Sequence, residues 1–182
     1  MTRHLPCDNE HWPTWRCAVQ RGDIDRAIRG MYDDIDATVR AKGPTCWTSG
    51  KCCNFNEYGH RMYVTGLEIA WVLEQIDHLQ RDQSHDDEQH DRRDVALSVL
   101  APDTDKVDSV GACSYQIDKL CSIHTVRPLG CRVFFCQEGT QHWQQTLYEH
   151  VHLEVRALHH AFALPYAYME WRAGLSAAVG AR

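Results

Sequence analysis

Between Cys121 and Cys136 the chain places three thiols and the imidazole of His124 within sixteen residues, bent by Pro128 and Gly130 and flanked by Arg127 and Arg132. Thiolates and imidazoles are the ligands that zinc and iron–sulfur clusters take, and a sharply turning loop gathers them around one point. Nearby guanidinium groups offset the negative charge that a thiolate-ligated cluster carries. The segment does not hold a full set of four sulfur ligands, because Cys121, Cys131 and Cys136 are only three. The missing ones must come from elsewhere in the chain.

Two regions supply them. Cys46, Ser49, Gly50, Cys52 and Cys53 form a compact upstream loop in which Gly50 permits a tight turn between the first thiol and the pair. Adjacent cysteines point in different directions, so one of Cys52 and Cys53 ligates while the other packs or takes a second position. Downstream, Cys113 to Cys121 reads as a β-hairpin turning near Asp118 and Lys119, which places Cys113 and Cys121 on paired strands and on the same side of the turn.

The totals point the same way. Nine cysteines among 182 residues fall short of the roughly 8–10% of a disulfide scaffold, and their number is odd. The start of the chain shows no signal-peptide pattern, so the expected compartment is the cytoplasm, where stable disulfides are disfavoured. A net charge of −6 with no basic stripe excludes nucleic acid as an expected partner, and no apolar run is long enough for a membrane span.

The elements that must position these thiols are mostly helical. Ile24, Ile28, Met31, Ile35 and Val39 recur at helical spacing and predict a helix over 23–42, stopped by Gly43 and Pro44. A short strand is expected over 60–64. A capping box from Thr65 to Glu68 then opens a second helix through about residue 79. The acidic and His-containing stretch from Arg81 to Asp94 reads as a solvated loop, with a short piece over 95–100 and polar loop over 103–109. Trp143, Leu147, Val151, Val155, Leu158 and Phe162 mark a long helix capped by Thr140 and broken by Pro165, with a last helix over 166–178. His150, His152, His159 and His160 on the long helix read as surface or interhelix residues. The expected fold is α+β and mainly helical, with metal-centred cysteine loops and a short hairpin packed among about four amphipathic helices. Residues 1–22, with Cys7 and Cys17, read as an irregular arm bearing peripheral free thiols. Residues 23–182 read as one cysteine-cluster domain, with the ligand region over 46–136 and C-terminal helices over 140–178.

The sulfur pattern resembles the YkgJ-type CxxCxxCC cysteine-cluster family, the zinc- or iron-chelating domain. Cys46, Ser49, Gly50, Cys52 and Cys53 match its first motif. Cys113, then Cys121, Ile123, His124, Arg127, Pro128, Cys131 and Arg132, match its second. Ser49 stands where many members carry a second cysteine, and His124 where tyrosine is common, so any site here must draw more on the second region. The resemblance implies a metal-binding protein, some members being described as iron–sulfur proteins, and a related cysteine domain occurs in flagellin lysine N-methylases.

The candidate ligands are Cys46, Cys52, Cys53, Cys113, Cys121, Cys131 and Cys136, with Arg127 and Arg132 balancing charge. A 4Fe–4S cluster takes four of these thiolates. A structural zinc would suit Cys46, Cys53, Cys121 and Cys131 equally well. Surplus thiols and the family resemblance favour the cluster. No nucleophile–base pair, phosphate loop or dinucleotide fingerprint is readable. The expected function is therefore a metal-binding protein whose cluster serves electron transfer, metal handling or sensing. The alternatives are an iron–sulfur enzyme, either an oxidoreductase or a lysine methylase of the flagellin type, and a zinc-stapled module that binds a protein partner.

Overall fold

A computed structural model of the chain describes residues 9–47, 49–86 and 111–180. The fold is α+β and mainly helical. Its described helices are α1 (Trp12–Val19), α2 (Gly22–Lys42), α3 (Phe55–Tyr58), α4 (Gly66–Asp86), α5 (Leu129–Val133), α6 (Gln141–Ala161) and α7 (Trp171–Gly180). Its described strands are β1 (Tyr63–Thr65), β2 (Gln116–Ile117), β3 (Leu120–Cys121) and β4 (Tyr168–Glu170). No helix among the described residues is long and apolar enough to cross a membrane.

Helix α2 buries Ile24, Ile28, Ile35 and Val39 as their spacing dictates, with Tyr32 filling the same face and Met31 only partly covered. Helix α4 opens on the expected capping box. Thr65 donates from its backbone N–H to Glu68 Oε2 at 2.9 Å, and the Glu68 N–H returns a bond to Thr65 Oγ1 at 3.3 Å. Glu68 is itself buried and ties three helices together. It also accepts from the Tyr32 hydroxyl of α2 at 3.1 Å and from the Leu129 N–H of α5 at 3.1 Å. Burial pushes its carboxyl above the usual range, and these donors work against that rise.

The N-terminal segment is not the irregular arm its sequence suggests. Trp12–Val19 is helical, and Trp12 and Trp15 are among the most deeply buried side chains of the protein. Two short apolar runs gave no period to read, but a pair of tryptophans carries enough apolar surface to seat a helix of two turns. The Trp15 indole donates to the Pro165 carbonyl at 2.9 Å, and Arg16 donates to the Ala178 carbonyl at 2.7 Å. Its ring lies where a Cβ on Gly66 would sit, 2.2 Å from the nearest ring atom, so only glycine lets α1 close on the start of α4.

The C-terminal region departs in four places. Tyr168–Glu170, expected in the last helix, is β4 and pairs antiparallel with β1, Tyr63 opposite Glu170 and Val64 opposite Met169. A strand already formed by Tyr63–Thr65 offers an edge that outweighs local helical preference. Thr140 does not cap α6 through its side chain, because its hydroxyl donates to the Gln137 carbonyl instead. The last helix starts at Trp171 rather than near residue 166, and of the histidines expected at the surface or between helices His159 is buried, at 2% exposure. Helix α4 also continues to Asp86, past the expected end. The readings over 87–110, and Cys7, lie outside the described residues.

Candidate metal centre

Three stretches of backbone build the site. The upstream loop turns at Gly50, whose φ of +72° is a left-handed conformation, and a Cβ there would meet Gln116 Nε2 at 2.6 Å. That amide donates to the Gly50 carbonyl at 2.9 Å, pinning the loop to the hairpin. The second link is backbone to backbone: the Cys113 N–H donates to the Cys53 carbonyl at 2.7 Å, beside an antiparallel bridge between Asn54 and Ala112. The two cysteine regions, distant in sequence, are thus joined at the thiol-bearing residues themselves.

The hairpin forms as expected. Gln116 lies opposite Cys121 and Ile117 opposite Leu120. Asp118 and Lys119 occupy the two-residue turn with φ of 49° and 68°. Both central residues at positive φ are what a tight hairpin of right-twisted strands demands. Cys113, expected on a strand paired with that of Cys121, lies outside this two-residue ladder and reaches the site instead through the bond of its N–H to the Cys53 carbonyl. The third stretch is α5, entered through Pro128, whose carbonyl accepts from the N–H groups of Cys131 and Arg132 at 3.0 and 3.2 Å. Its Leu129 N–H is held by Glu68, so the short helix that carries Cys131 is anchored to the core.

All seven expected cysteines line one cavity of about 210 Å³. Cys46 is exposed at the mouth, while Cys52, Cys121, Cys131 and Cys136 are half-buried and Cys53 and Cys113 are buried. Ser49 joins them, its Oγ 3.4 Å from Cys136 Sγ, so the serine of the upstream loop faces the site as well. His124 also lines the cavity; partial desolvation and then the Arg127 charge hold its imidazole below the usual range. Cys17 lies exposed on α1, away from this cavity. Among the described residues, no group of three His, Cys, Asp or Glu side chains stands ready to hold one metal ion.

The thiols divide electrostatically. Cys53 lies between Cys121 and Cys52, its sulfur 3.8 Å from that of Cys52, and its thiol is hydrogen-bonded with theirs. Those bonds raise the Cys53 thiol and lower Cys52 and Cys121, with the Arg127 charge adding to both falls. Burial pushes Cys113 up to about 11 and Cys131 well above the usual thiol range. Two thiols poised to ionise beside three that resist it are what a site looks like when soft ligands are gathered and desolvated.

The arginines behave differently from each other. Arg127 lines the cavity, and its Nε is buried without a hydrogen-bond partner among the described residues. Desolvation lowers its pKa, and the Cys131 and Cys121 sulfurs oppose that fall. A cationic side chain whose Nε–H is buried without a partner fits a site that receives an anionic group, such as thiolates around a metal or cluster. Arg132, expected to share this role, does not reach the cavity. Its Nη1 donates to Asp36 at 2.7 Å, its Nη2 to the Thr125 carbonyl at 2.7 Å, and its Nε to the Arg127 carbonyl at 2.8 Å. Its guanidinium also lies 4.4 Å from the Tyr32 ring centroid. It is a structural clamp between α2 and the cysteine loop.

Sequence reasoning missed four neighbours. Trp171, at the start of α7, donates its indole N–H to Cys113 Sγ at 3.3 Å. A donor to sulfur stabilises a thiolate ligand and tunes whatever it binds. Phe134 and Phe55 supply an apolar wall, and His60 stacks on Phe134 with its Nε2 3.3 Å from the Cys52 carbonyl. The Phe residues lie close to cysteines in sequence and were readable as lining; Trp171 gives no such signal. The chain matches no family model, no curated protein and no solved structure.

Proposed function

We propose that this chain is a metal-binding cysteine-cluster protein holding an iron–sulfur cluster, with 4Fe–4S as the favoured form. The observation that carries this reading is the convergence of seven thiols from three separate stretches on one cavity, beside the unpartnered Nε of Arg127. Cys52 and Cys121 are the thiols the electrostatics favour as ligands; Cys53 and Cys131, beside them in the cavity, complete the proposed set, with Cys113 as an inner reserve and Cys46 and Cys136 at the rim. A liquid water molecule takes about 30 Å³, so a cavity of about 210 Å³ has room for several atoms rather than one ion. That supports a cluster over a single zinc.

When bound, such a cluster supplies one-electron transfer at a potential set by its surroundings. The residues of the chain hold and tune it. Arg127 places positive charge next to Cys121 and Cys131, and Trp171 donates to Cys113. Phe55 and Phe134 limit access of water. The use this supports is electron transfer, iron handling or sensing in the cytoplasm.

Anaerobic purification with absorption spectroscopy and metal analysis tests the reading. Brown protein containing iron and acid-labile sulfide in equal amounts is the expected result. Colourless protein carrying one zinc per chain would replace the cluster with a structural metal, and the protein-binding module would become the better account.

A further inference from the structure

A second cavity, of about 440 Å³, adjoins the thiol site and shares Phe134 with it. Its volume lies in the range of small-molecule sites, roughly 300–1,000 Å³. None of the seven cysteines lines it, so what it binds does not depend on which metal the thiols hold.

The lining has two flat aromatic surfaces. His60 and Phe134 stack at 4.9 Å between centroids and 15° between planes, and Tyr63 and Tyr168 stack at 5.7 Å and 27°. Met62 and Val133 complete an apolar floor. The Tyr148 and Tyr168 hydroxyls are hydrogen-bonded to each other. In such a pair one hydroxyl donates and the other accepts, which leaves the second proton free to meet a ligand. Paired ring faces with a hydroxyl at their edge suit a planar ring bearing a polar substituent.

Charge selects further. No acidic side chain is among the residues that line the cavity, and Arg61 lines it with an exposed guanidinium. Among the described residues Arg61 forms no ion pair, whereas Arg29, Arg132 and Arg172 each have a carboxylate. We infer that this cavity binds a planar aromatic small molecule bearing one acidic group, its ring held by the His60–Phe134 and Tyr63–Tyr168 stacks and its anion met by Arg61. The molecule would lie one aromatic ring away from the thiol cavity, with His60 in contact with both the Cys52 backbone and the shared Phe134 wall.

Two dyes separate the ring from the charge. 8-Anilinonaphthalene-1-sulfonate carries both, and N-phenyl-1-naphthylamine is its neutral counterpart. Titrated into the full-length protein as isolated, each should give saturable, blue-shifted emission at one site per chain. Gln145 and Gln141 line the cavity from the exposed side of α6, so Gln145→Trp or Gln141→Trp fills it without touching the core. Either should weaken both dyes at least tenfold, with circular dichroism unchanged. Arg61→Gln should weaken the sulfonate about tenfold and leave the neutral dye within about twofold, a charge-assisted contact being worth about that much. Non-saturable binding, or full affinity in both blocked variants, would overturn the site. Equal effects of Arg61→Gln on the two dyes would overturn the acidic group.

Discussion

Arg132 donates from its Nε to the backbone carbonyl of Arg127 at 2.8 Å, and that bond fixes two arginines, five residues apart, in unlike roles. Arg132 is spent on the fold: Asp36, Thr125 and the Tyr32 ring take the rest of its guanidinium. Arg127 turns the other way, into the thiol cavity, with a buried Nε that meets no partner among the described residues.

The two substitutions should therefore fail differently. Arg132→Met breaks a pair in which the arginine side chain is 5% exposed and should lower stability by about 3 kcal/mol, read as a shift in the urea midpoint. Arg127→Gln should leave that midpoint within about 1 kcal/mol. Its effect should appear as a more negative reduction potential of the bound cluster, because a positive charge near the sulfurs is lost. An unchanged potential would mean that Arg127 serves the fold as well.

Metal retention should follow the positions of the thiols in the cavity. Cys121→Ala and Cys131→Ala each remove a member of the inner set and should abolish bound metal in purified protein. Cys17→Ala, exposed on α1, should keep the wild-type content. Cys46→Ala, at the cavity mouth, should retain most of it. Equal metal in all four variants, measured by inductively coupled plasma spectrometry, would remove the thiol cavity from consideration.

Legibility in the sequence followed the range of the interactions involved. The span of α2, the Thr65–Glu68 capping box and the hairpin turn at Asp118–Lys119 are set by contacts a few residues apart, and each formed where the pattern placed it. The seven site thiols were also identifiable, because residue type marks a soft ligand wherever the chain takes it. Long-range contacts left no local trace. Trp12 and Trp15 are ordered by α4 and by the Pro165 carbonyl, and Tyr168–Glu170 is a strand only because β1 is its partner. The separation of Arg127 from Arg132 depends on Asp36, which no motif connects to either.

Gly50 gives a test of how tightly the upstream loop sets the thiols. Alanine there must adopt a left-handed φ of +72° and place its Cβ 2.6 Å from Gln116 Nε2. The conformational strain alone costs about 1–2 kcal/mol, and the Gln116 amide must give way, loosening its bond to the Gly50 carbonyl. Cys52 and Cys53 follow after Lys51, so Gly50→Ala should increase the rate of metal loss to a chelator severalfold while the thermal midpoint of metal-free protein falls by only a few degrees, about 2–8 °C. Gly43→Ala also sits at positive φ but has no atoms near its Cβ, and it should lose metal at the wild-type rate.

His159 should make stability depend on pH on the acid side. Its Nδ1–H donates to the Pro165 carbonyl at 2.9 Å, and its Nε2 is buried without a partner among the described residues. Burial holds the folded imidazole below its ordinary value of 6.5. The unfolded chain takes up a proton near that pH and the folded chain does not, so the unfolded state binds more protons as the solution is acidified. The stability that neutral His159 contributes is therefore present above about pH 6.5 and lost as pH falls from there toward the lowered folded value. His152, also lowered by partial burial, adds a smaller change of the same sign. His159→Phe keeps the volume of the ring and removes the titration. Urea unfolding at about pH 7.5 and about pH 5.5 should show a smaller loss of stability in the variant than in the wild type. Equal losses would mean that the folded protein protonates His159 as readily as the unfolded chain does, and that water reaches its Nε2 in the native state.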